Sequence, residues 1–488
     1  MAIAVADWSE PVMDAKAQGG LQADSLGFGE SLIMGIAGTA PAYSIEIAAS
    51  TVVATSGMFS PASIVVCGLI MLGIAFAFIN LNKAIANAGT SYAWVSTIFG
   101  RTLGFFAGWA LLVLCCIFMV SAMIPAANAT LLIFRPELMN NVQYVTIIAA
   151  LWLTAVSAIV LKGIKLTSFA QVVMTSIEGL ILLTILVAGF IVFPRAPEHV
   201  FSWNWFSPFD FSPRFFANGA LVAIFFYYGW DVTMNLSEET KDPHRIPGRG
   251  AFWTMIFLIT FFTIFIVITL LGLSGEEIKH YNTNIIFAIA EKLFGATWGY
   301  VAIIAVLLST VGTVETQMLQ FTRTLFAKAR DGAIHPRYSK LHQRWRTPHV
   351  AILFIWVTGL ALLFVSSYLP TINVILQDSI AAIGFQICFY LGLTALACAW
   401  YYRAMLRSTV WGAISHVAWP ALSGIFLFFI AIYSIPTFDM ITNVVGIGGI
   451  AIGAVPLLIN RKKIWKTRES LEPQLSRDGA DDATSLNE

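Results

Sequence analysis

The chain has 488 residues, of which 58% are hydrophobic and 11% are charged, and its mean hydropathy is +0.78. A soluble globular domain of this length would not tolerate so apolar a composition, so a polytopic membrane protein is predicted. The formal net charge of +1 at pH 7 gives no reason to expect a nucleic-acid partner. All five cysteines lie in apolar stretches, which indicates packing rather than a disulfide framework or a metal site.

From its amino terminus the chain reads as a polar segment, twelve candidate membrane spans and a polar tail. Each span needs about 20 apolar residues, and turn signals and charge clusters separate one span from the next. The spans are predicted at 30–56, 62–82, 102–132, 142–161, 168–193, 214–237, 250–273, 297–322, 349–368, 378–401, 414–434 and 439–460. Short interfacial helices are predicted at 83–96 and 282–294.

The two polar ends of the chain carry a topology prediction. Residues 1–29 lack the basic start and short apolar core of a cleaved signal, and 461–488 has the composition of a disordered tail. Of the 28 lysines and arginines, 23 fall on the side of the two termini and 5 on the other. Basic residues accumulate on the cytoplasmic side. The protein is therefore predicted to lie in the plasma (inner) membrane with both termini cytoplasmic.

Two of the spans are interrupted at mid-membrane depth, the first at 35–41 (GIAGTAP) and the sixth at 226–231 (FYYGWD). Backbone groups left unpaired in hydrocarbon are so unfavourable that a broken helix persists only where protein or a cavity supplies partners. A matched pair of breaks is typical of secondary transporters, whose substrate site lies at the bilayer midplane between them. The two broken spans cross in opposite directions, which predicts inverted five-span repeats at 30–193 and 214–401, with two additional helices at 414–460.

Three further motifs accompany these breaks. The exit of the sixth span reads SEETKDPHRIP at 237–247, the exit of the eighth reads RTLFAKARDG at 323–332, and AGTSY stands at 88–92. With the break at 226–231, they make the chain resemble the amino acid/polyamine/organocation transporters over roughly residues 25–460. The resemblance implies an all-α, LeuT-like bundle of twelve helices that works by alternating access, with helices 1 and 6 discontinuous.

The chain departs from the pattern of that family at two places. The first break of the family commonly reads Gly-Ser/Thr-Gly, whereas this chain has an alanine in the third position and then Pro41. In proton-coupled members the fifth span often carries a mid-membrane lysine, and the alignment places Glu178 there. A carboxylate cannot imitate that ammonium group, although it can carry a proton or bind a cation.

The two breaks supply the predicted substrate site. Free N–H groups from Gly35 to Thr39, together with the helix dipole, would receive a carboxylate, and the rings of the second break would suit an ammonium group. The predicted substrate-binding residues are Gly35, Ala37, Gly38, Thr39, Tyr43, Phe226, Tyr227, Tyr228, Trp230 and Asp231. The alternative interpretation is that these glycines and aromatic residues only pack, and that Asp231 caps the helix that follows it.

Four acidic residues lie deep within the spans, and no lysine or arginine lies comparably deep. A charged side chain at a helix centre costs roughly 2.5 to 3.5 kcal/mol on insertion scales, so each acid is expected to hold a proton or to await a cation. Besides Asp231, these are Glu46, Glu178 and Glu315, the predicted residues for proton or ion coupling, with sodium less favoured than the proton. A protonated glutamate that bonds only to a neighbouring helix is the structural alternative.

The sequence as a whole predicts a transporter rather than an enzyme, because no nucleophile and base, zinc spacing or phosphate loop stands out; no cofactor or metal is predicted. The leading hypothesis is proton-coupled import of a small amine, polyamine or amino acid, and the excess of deep acids favours a cationic substrate. A neutral amino acid symporter and an amino acid or amine exchanger are alternatives. A channel or a non-transporting receptor on the same fold is an alternative of another class.

Overall fold

The computed structural model describes residues 20–208, 220, 223–282, 284–368 and 372–459, with the side chains of 372–381 excepted. These residues form α-helices with short 3-10 and π segments, and no strand occurs among them. The α-helices are α1 (Phe28–Thr39), α2 (Pro41–Ser56), α3 (Ser60–Ala84), α4 (Ser91–Phe99), α5 (Arg101–Phe134), α6 (Val142–Leu161), α7 (Ile164–Val192), α8 (Val232–Asn235), α9 (Ile246–Gly272), α10 (Gly275–Tyr281), α11 (Ile285–Phe294), α12 (Ala296–Arg330), α13 (His349–Ser366), α14 (Ile372–Tyr401), α15 (Val410–Ala413), α16 (Trp419–Ser434), α17 (Met440–Asn443) and α18 (Gly449–Ala451).

Ten helical stretches in the described part of the chain are long and apolar enough to cross a membrane. The first of them, Phe28–Ala84, has 57 residues and contains the three separate helices α1, α2 and α3. The predicted sixth span lies partly outside the described residues. An all-helical polytopic membrane protein is therefore confirmed, whereas the count of twelve, the inverted repeats, the domain boundaries and the cytoplasmic termini stay predictions.

One predicted span ends too early. The sequence pattern places the end of the eighth span at residue 322, but α12 continues to Arg330. Its two basic residues Arg323 and Lys328 are fully buried and find protein partners: Arg323 binds Glu239, and the Lys328 Nζ donates to the Phe105 carbonyl at 2.8 Å. A charged residue ends a hydrophobic run in the sequence. It does not end the helix when other residues of the protein bind the charged side chain.

Helix α12 forms the centre of the bundle. It contacts α1, α2, α5, α7, α11 and α13, and every residue from Ser309 to Ala329 is buried. Helix α7 instead turns apolar side chains such as Leu180 and Leu183 outward, as expected of a helix that faces lipid. The polar residues of α12 therefore lie inside the protein, where each requires a hydrogen-bonding partner.

Two local conformations position the site. Between α1 and α2, Ala40 has a φ of +50°, and Pro41 begins α2 because proline lacks an N–H and cannot continue the preceding helix. In the second break, helical structure at 223–225 stops and resumes at α8, with Gly229 between them at a φ of +106°. Only glycine adopts this second conformation readily, so the sequence fixes both interruptions locally.

Candidate substrate and coupling site

The two helix breaks lie against each other in the interior of the bundle. The backbones of Gly38 and Gly229 are so close that a Cβ atom on either residue would meet the carbonyl group of the other. Glycine alone permits this approach. Thr39 and Trp230, which follow the two glycines, are both buried. The structure therefore brings together the two breaks that the sequence places about 190 residues apart.

The N–H groups that the first break leaves free are not the predicted ones. Residues Gly35 to Thr39 belong to α1, and the N–H of Ala40 still bonds to the carbonyls at the end of that helix. The expectation of free N–H groups from Gly35 to Thr39 is therefore wrong. Helix α2 starts only at Pro41, so the N–H groups without an intrahelical partner lie after the break rather than before it.

The free N–H groups at the start of α2 are bound by side chains of other helices. The N–H of Ala42 donates to Glu178 Oε1 at 3.0 Å, and the N–H of Tyr43 donates to the Ser309 hydroxyl at 3.3 Å. A carboxylate at this position also meets the positive end of the α2 dipole. Glu178 thus occupies, with its own carboxylate, the kind of site that was predicted to receive the carboxylate of a substrate.

The end of α1 presents carbonyl oxygens to the same place. The Gly38 carbonyl accepts a hydrogen bond from the Thr313 hydroxyl at 2.9 Å, and the Thr39 carbonyl accepts one from the Ser44 hydroxyl at 2.7 Å. The carbonyl end of a helix carries a partial negative charge and favours a cation. The first break therefore offers acceptors from α1 next to donors from α2, the pairing that a zwitterion requires.

Two aromatic residues of the second break, Tyr228 and Trp230, differ in how their polar atoms are satisfied. The Tyr228 hydroxyl bonds to Gln317 Oε1 at 2.5 Å, and its ring lies 6.2 Å from Phe118. The Trp230 ring packs 5.4 Å from Phe78, and its buried Nε1 has no hydrogen-bonding partner in the described structure. A buried N–H without a partner is rare in native proteins. Trp230 therefore keeps a donor available for a ligand.

The other two aromatic residues of the second break point away from the first. The rings of Phe226 and Tyr227 pack 4.9 and 5.7 Å from Phe262 of α9. The Tyr227 hydroxyl donates to the Ile64 carbonyl of α3 at 2.9 Å. These contacts agree with the alternative interpretation that the aromatic residues only pack. Two of the four aromatic residues of the second break therefore serve helix packing.

Asp231 does not cap the helix that it precedes. It stands at the N-cap position of α8, but its side chain makes no hydrogen bond to that helix. The carboxylate accepts a hydrogen bond from the Tyr390 hydroxyl of α14 at 2.9 Å instead. The predicted capping role is therefore wrong, and Asp231 ties the second break to α14.

Glu46 lies in a compartment of its own. One of its oxygens accepts the N–H of Ile286, in the first turn of α11, at 3.0 Å, and the other has no partner in the described structure. A cavity of about 80 Å³ borders Glu46 and Tyr43. The Tyr43 ring packs 6.1 Å from Phe118, and its hydroxyl bonds to the Ser121 carbonyl at 2.9 Å. Tyr43 thus stands between this cavity and the interior.

A row of polar side chains links two of the predicted coupling residues. Gln171, Thr175 and Glu178 share one face of α7, which packs against α12. With its amide oriented to satisfy its neighbours, Gln171 donates to Glu315 Oε2 at 2.5 Å and accepts from the Thr175 hydroxyl. The second oxygen of Glu315 is buried without a partner in the described residues. Glu315 and Glu178 therefore belong to one polar strip between α7 and α12.

Most of the residues that support this site are not among those predicted from the sequence. Ser309, Thr313 and Gln317 of α12 bind both breaks, and Gln171 and Tyr390 position two of the acids. A signal for the α12 residues was present, because Ala296–Arg330 has the lowest hydropathy of the ten candidate spans. A polar span at the centre of a bundle indicates partners for unpaired backbone.

One end of the bundle is closed by ion pairs. Arg323 binds both oxygens of Glu239, at 2.8 and 2.9 Å, with both side chains buried, and Arg330 binds Glu238 at 2.9 Å. We call these four residues the ion-paired end. The N–H groups of 25–26 bond to the Glu239 carbonyl and so join the start of the bundle to it. Arg323 and Arg330 thus each form a salt bridge at this end of the bundle.

Comparison with known proteins agrees with the architecture. A family model described as Amino acid permease matches residues 28–456. The chain is 26% identical over 311 residues to the serine/threonine exchanger SteT of Bacillus subtilis, covering 62% of this chain and 67% of that protein. It is also 26% identical over 318 residues to the human large neutral amino acids transporter small subunit 2, covering 63% of this chain and 58% of that protein. The chain is 26% identical over 336 residues to a methylthioribose transporter of Bacillus subtilis, covering 65% of this chain and 69% of that protein.

Proposed function

The chain belongs to the amino acid permease family, and we propose that it moves an amino acid across the membrane by alternating access, with its substrate at the two helix breaks. The contact between Gly38 and Gly229 is the observation that carries this proposal. This contact brings the end of α1, and with it the start of α2, against the second break, which carries Tyr228 and Trp230. A midplane site between two broken helices is the arrangement that secondary transporters use.

The substrate ammonium group fits the carbonyl end of α1, where Gly38 and Thr39 present their oxygens. The ring of Tyr228 and the Nε1 of Trp230, which has no partner in the described structure, belong to the second break, and we assign them to the side chain of the amino acid. The substrate carboxylate fits the start of α2, at the N–H groups of Ala42 and Tyr43.

Glu178 couples this binding to a proton. Its carboxylate bonds to the N–H of Ala42, so an ionised Glu178 and a substrate carboxylate would bring two negative charges to one site. Two carboxylates that share one site in a medium of low dielectric constant do not both stay ionised. Protonation of Glu178 would therefore free the start of α2 for the substrate, and proton and substrate would travel together. Glu315, on the same polar strip, is the second candidate for the proton.

A neutral amino acid suits the site better than a cation. Each of the four deep acids already accepts a hydrogen bond from the protein: Glu178 and Glu46 from backbone N–H groups, Asp231 from Tyr390 and Glu315 from Gln171. The names of the serine/threonine exchanger and the large neutral amino acids transporter point the same way. A cationic amine is the second candidate, favoured by the unpartnered oxygens of Glu46 and Glu315 in the described structure.

Uptake by proteoliposomes tests these proposals. The purified protein is reconstituted and offered radiolabelled neutral amino acids, cationic amino acids and polyamines, with and without an imposed pH gradient. We expect saturable uptake of neutral amino acids that an inward proton gradient drives above equilibrium. Uptake of cationic substrates alone would support the second candidate, uptake only against a preloaded amino acid would indicate an exchanger, and binding without flux would contradict transport.

A further inference from the structure

An apolar groove runs along the side of the bundle between α1, α7 and α9. Its volume is about 600 Å³. Phe28, Leu32 and Ile36 of α1 form one wall, and the stretch of α9 from Trp253 to Ile264 forms the other. Among the lining residues only Arg249 and Thr260 carry polar side chains. The groove therefore combines a long hydrocarbon surface with one cationic residue.

That cationic residue stands at one end of the groove. Arg249 is in the first turn of α9, at the edge of its apolar stretch, and its side chain is exposed. The guanidinium group lies 5.3 Å from the centre of the Phe28 ring, and no carboxylate in the described residues forms an ion pair with it. Lys241, His244 and Arg245, also exposed, precede it, with Asp242 the one acid among them. The end of the groove at the membrane edge is thus basic.

We propose that this groove binds one anionic phospholipid, with its phosphate at Arg249 and an acyl chain along α1 and α9. Basic residues at the membrane surface attract anionic headgroups, and basic pockets between transmembrane helices bind them selectively. A neutral or zwitterionic lipid would fill the apolar part equally well but would leave the guanidinium group without a net counter-charge. The charge complementarity at Arg249 therefore identifies the class of lipid.

The position of the groove gives the lipid a role. A second apolar cavity of about 150 Å³ shares Ile36, Leu186 and Phe261 with the groove and extends to Pro41 and Glu178. An acyl chain in the groove would end beside the first break and would shield this side of Glu178 from the bilayer. It would also hold α1 against α9, since each helix forms one of its walls. The inference does not depend on which substrate is transported.

Native mass spectrometry of the full chain with phosphatidylglycerol or phosphatidylcholine tests the proposal. We expect wild-type protein to retain one phosphatidylglycerol and to gain thermal stability from it. Arg249→Gln should weaken this binding about five-fold, the effect of one basic residue near an anionic membrane surface. Arg245→Gln, which removes the same charge from a residue outside the groove, is the matched control and should bind as wild type.

A second variant tests the apolar part without touching the charge. Ile256→Trp fills the groove and should reduce the retention of phosphatidylglycerol while Arg249 is intact. Equal retention of the two lipids by wild type would mean an ordinary annular lipid and would overturn the proposal. Equal losses in Arg249→Gln and Arg245→Gln would also overturn it, because the attraction would then belong to the basic surface rather than to the groove.

Discussion

The two helix breaks meet at Gly38 and Gly229 but are satisfied in different ways. The first is bound by side chains of other helices at both its donors and its acceptors, through Glu178, Ser309 and Thr313. In the second break, the side chains of the break itself make the contacts to other helices. One of these side chains, Trp230, keeps a buried donor without a partner in the described structure. The free backbone groups of an interrupted helix can thus be satisfied by other helices, as in the first break, while a nearby side chain stays open, as in the second. In the function proposed above, the first break couples binding of the charged groups of the substrate to Glu178, and the second keeps a donor for the side chain of the substrate.

The largest effect is expected where the two breaks touch. Gly229→Ala places a Cβ atom against the Gly38 carbonyl and imposes a φ of +106° on a residue that avoids it. Overpacking of this kind costs about 1–3 kcal/mol, so the variant should unfold at lower temperature and lose uptake. Gly179→Ala is the control, because its Cβ atom would meet nothing within 4 Å. Uptake at the wild-type rate by Gly229→Ala would contradict the contact.

The next largest effect concerns the coupling assigned to the first break. Glu178→Gln keeps an oxygen for the N–H of Ala42 but cannot take up a proton, so pH-driven uptake should be lost while counterflow exchange persists. Glu178→Ala leaves that N–H unsatisfied and should also destabilise the protein by about 1–3 kcal/mol. Asp231→Asn, a matched change in the second break, should retain the pH dependence. Unchanged pH dependence in Glu178→Gln would remove this residue as the proton carrier.

A smaller effect is expected from the recognition assigned to the second break. Tyr228→Ala and Trp230→Ala should each weaken substrate binding about ten-fold, since a hydrogen bond and an aromatic contact contribute about 1–2 kcal/mol together. Tyr227→Phe is the control, because its hydroxyl bonds to α3 on the far side of the break. Binding measurements that give wild-type affinity for both alanine variants would show that the aromatic residues only pack.

The smallest effect is expected at the far end of the polar strip. Glu315→Gln retains an acceptor for Gln171 but replaces the carboxylate by a neutral amide, which should shift the proton concentration of half-maximal uptake by about two- to ten-fold. Gln171→Leu removes the hydrogen bond that Glu315 accepts and should shift this proton concentration by a similar factor. A pH titration of uptake in which Glu315→Gln behaves as wild type would return this residue to a packing role.

The sequence predicts the backbone of the site better than its side chains. Pro41 and Gly229 locate both breaks, because their conformational limits are local and need no knowledge of neighbours. The direction of Tyr227 and Tyr228 is not local. These two residues are adjacent in one motif, yet Tyr227 turns to α3 and Tyr228 turns to α12. Only the packing of those two helices decides which tyrosine meets the other break.

The partners of the acids could not be predicted for a similar reason. The cost of burying Glu178 or Asp231 is readable from the sequence, but the groups that offset it come from residues far away in the chain, such as Ala42 and Tyr390. The prediction of a cationic substrate rested on counting acids without knowing their partners. It stays a prediction, and the hydrogen bonds of these acids give it less weight than the neutral alternative.

The buried pair of Arg323 and Glu239 bears on how the ion-paired end would open in the transport cycle proposed above. Its two charges attract strongly while they are dry, but water that enters an opening gap hydrates both and removes most of that attraction. The first small separation of the two side chains therefore costs the most free energy, and further separation costs less. We therefore expect the ion-paired end to open in a single step rather than gradually. In the transport cycle proposed above, this behaviour would limit leakage of ions between turnovers.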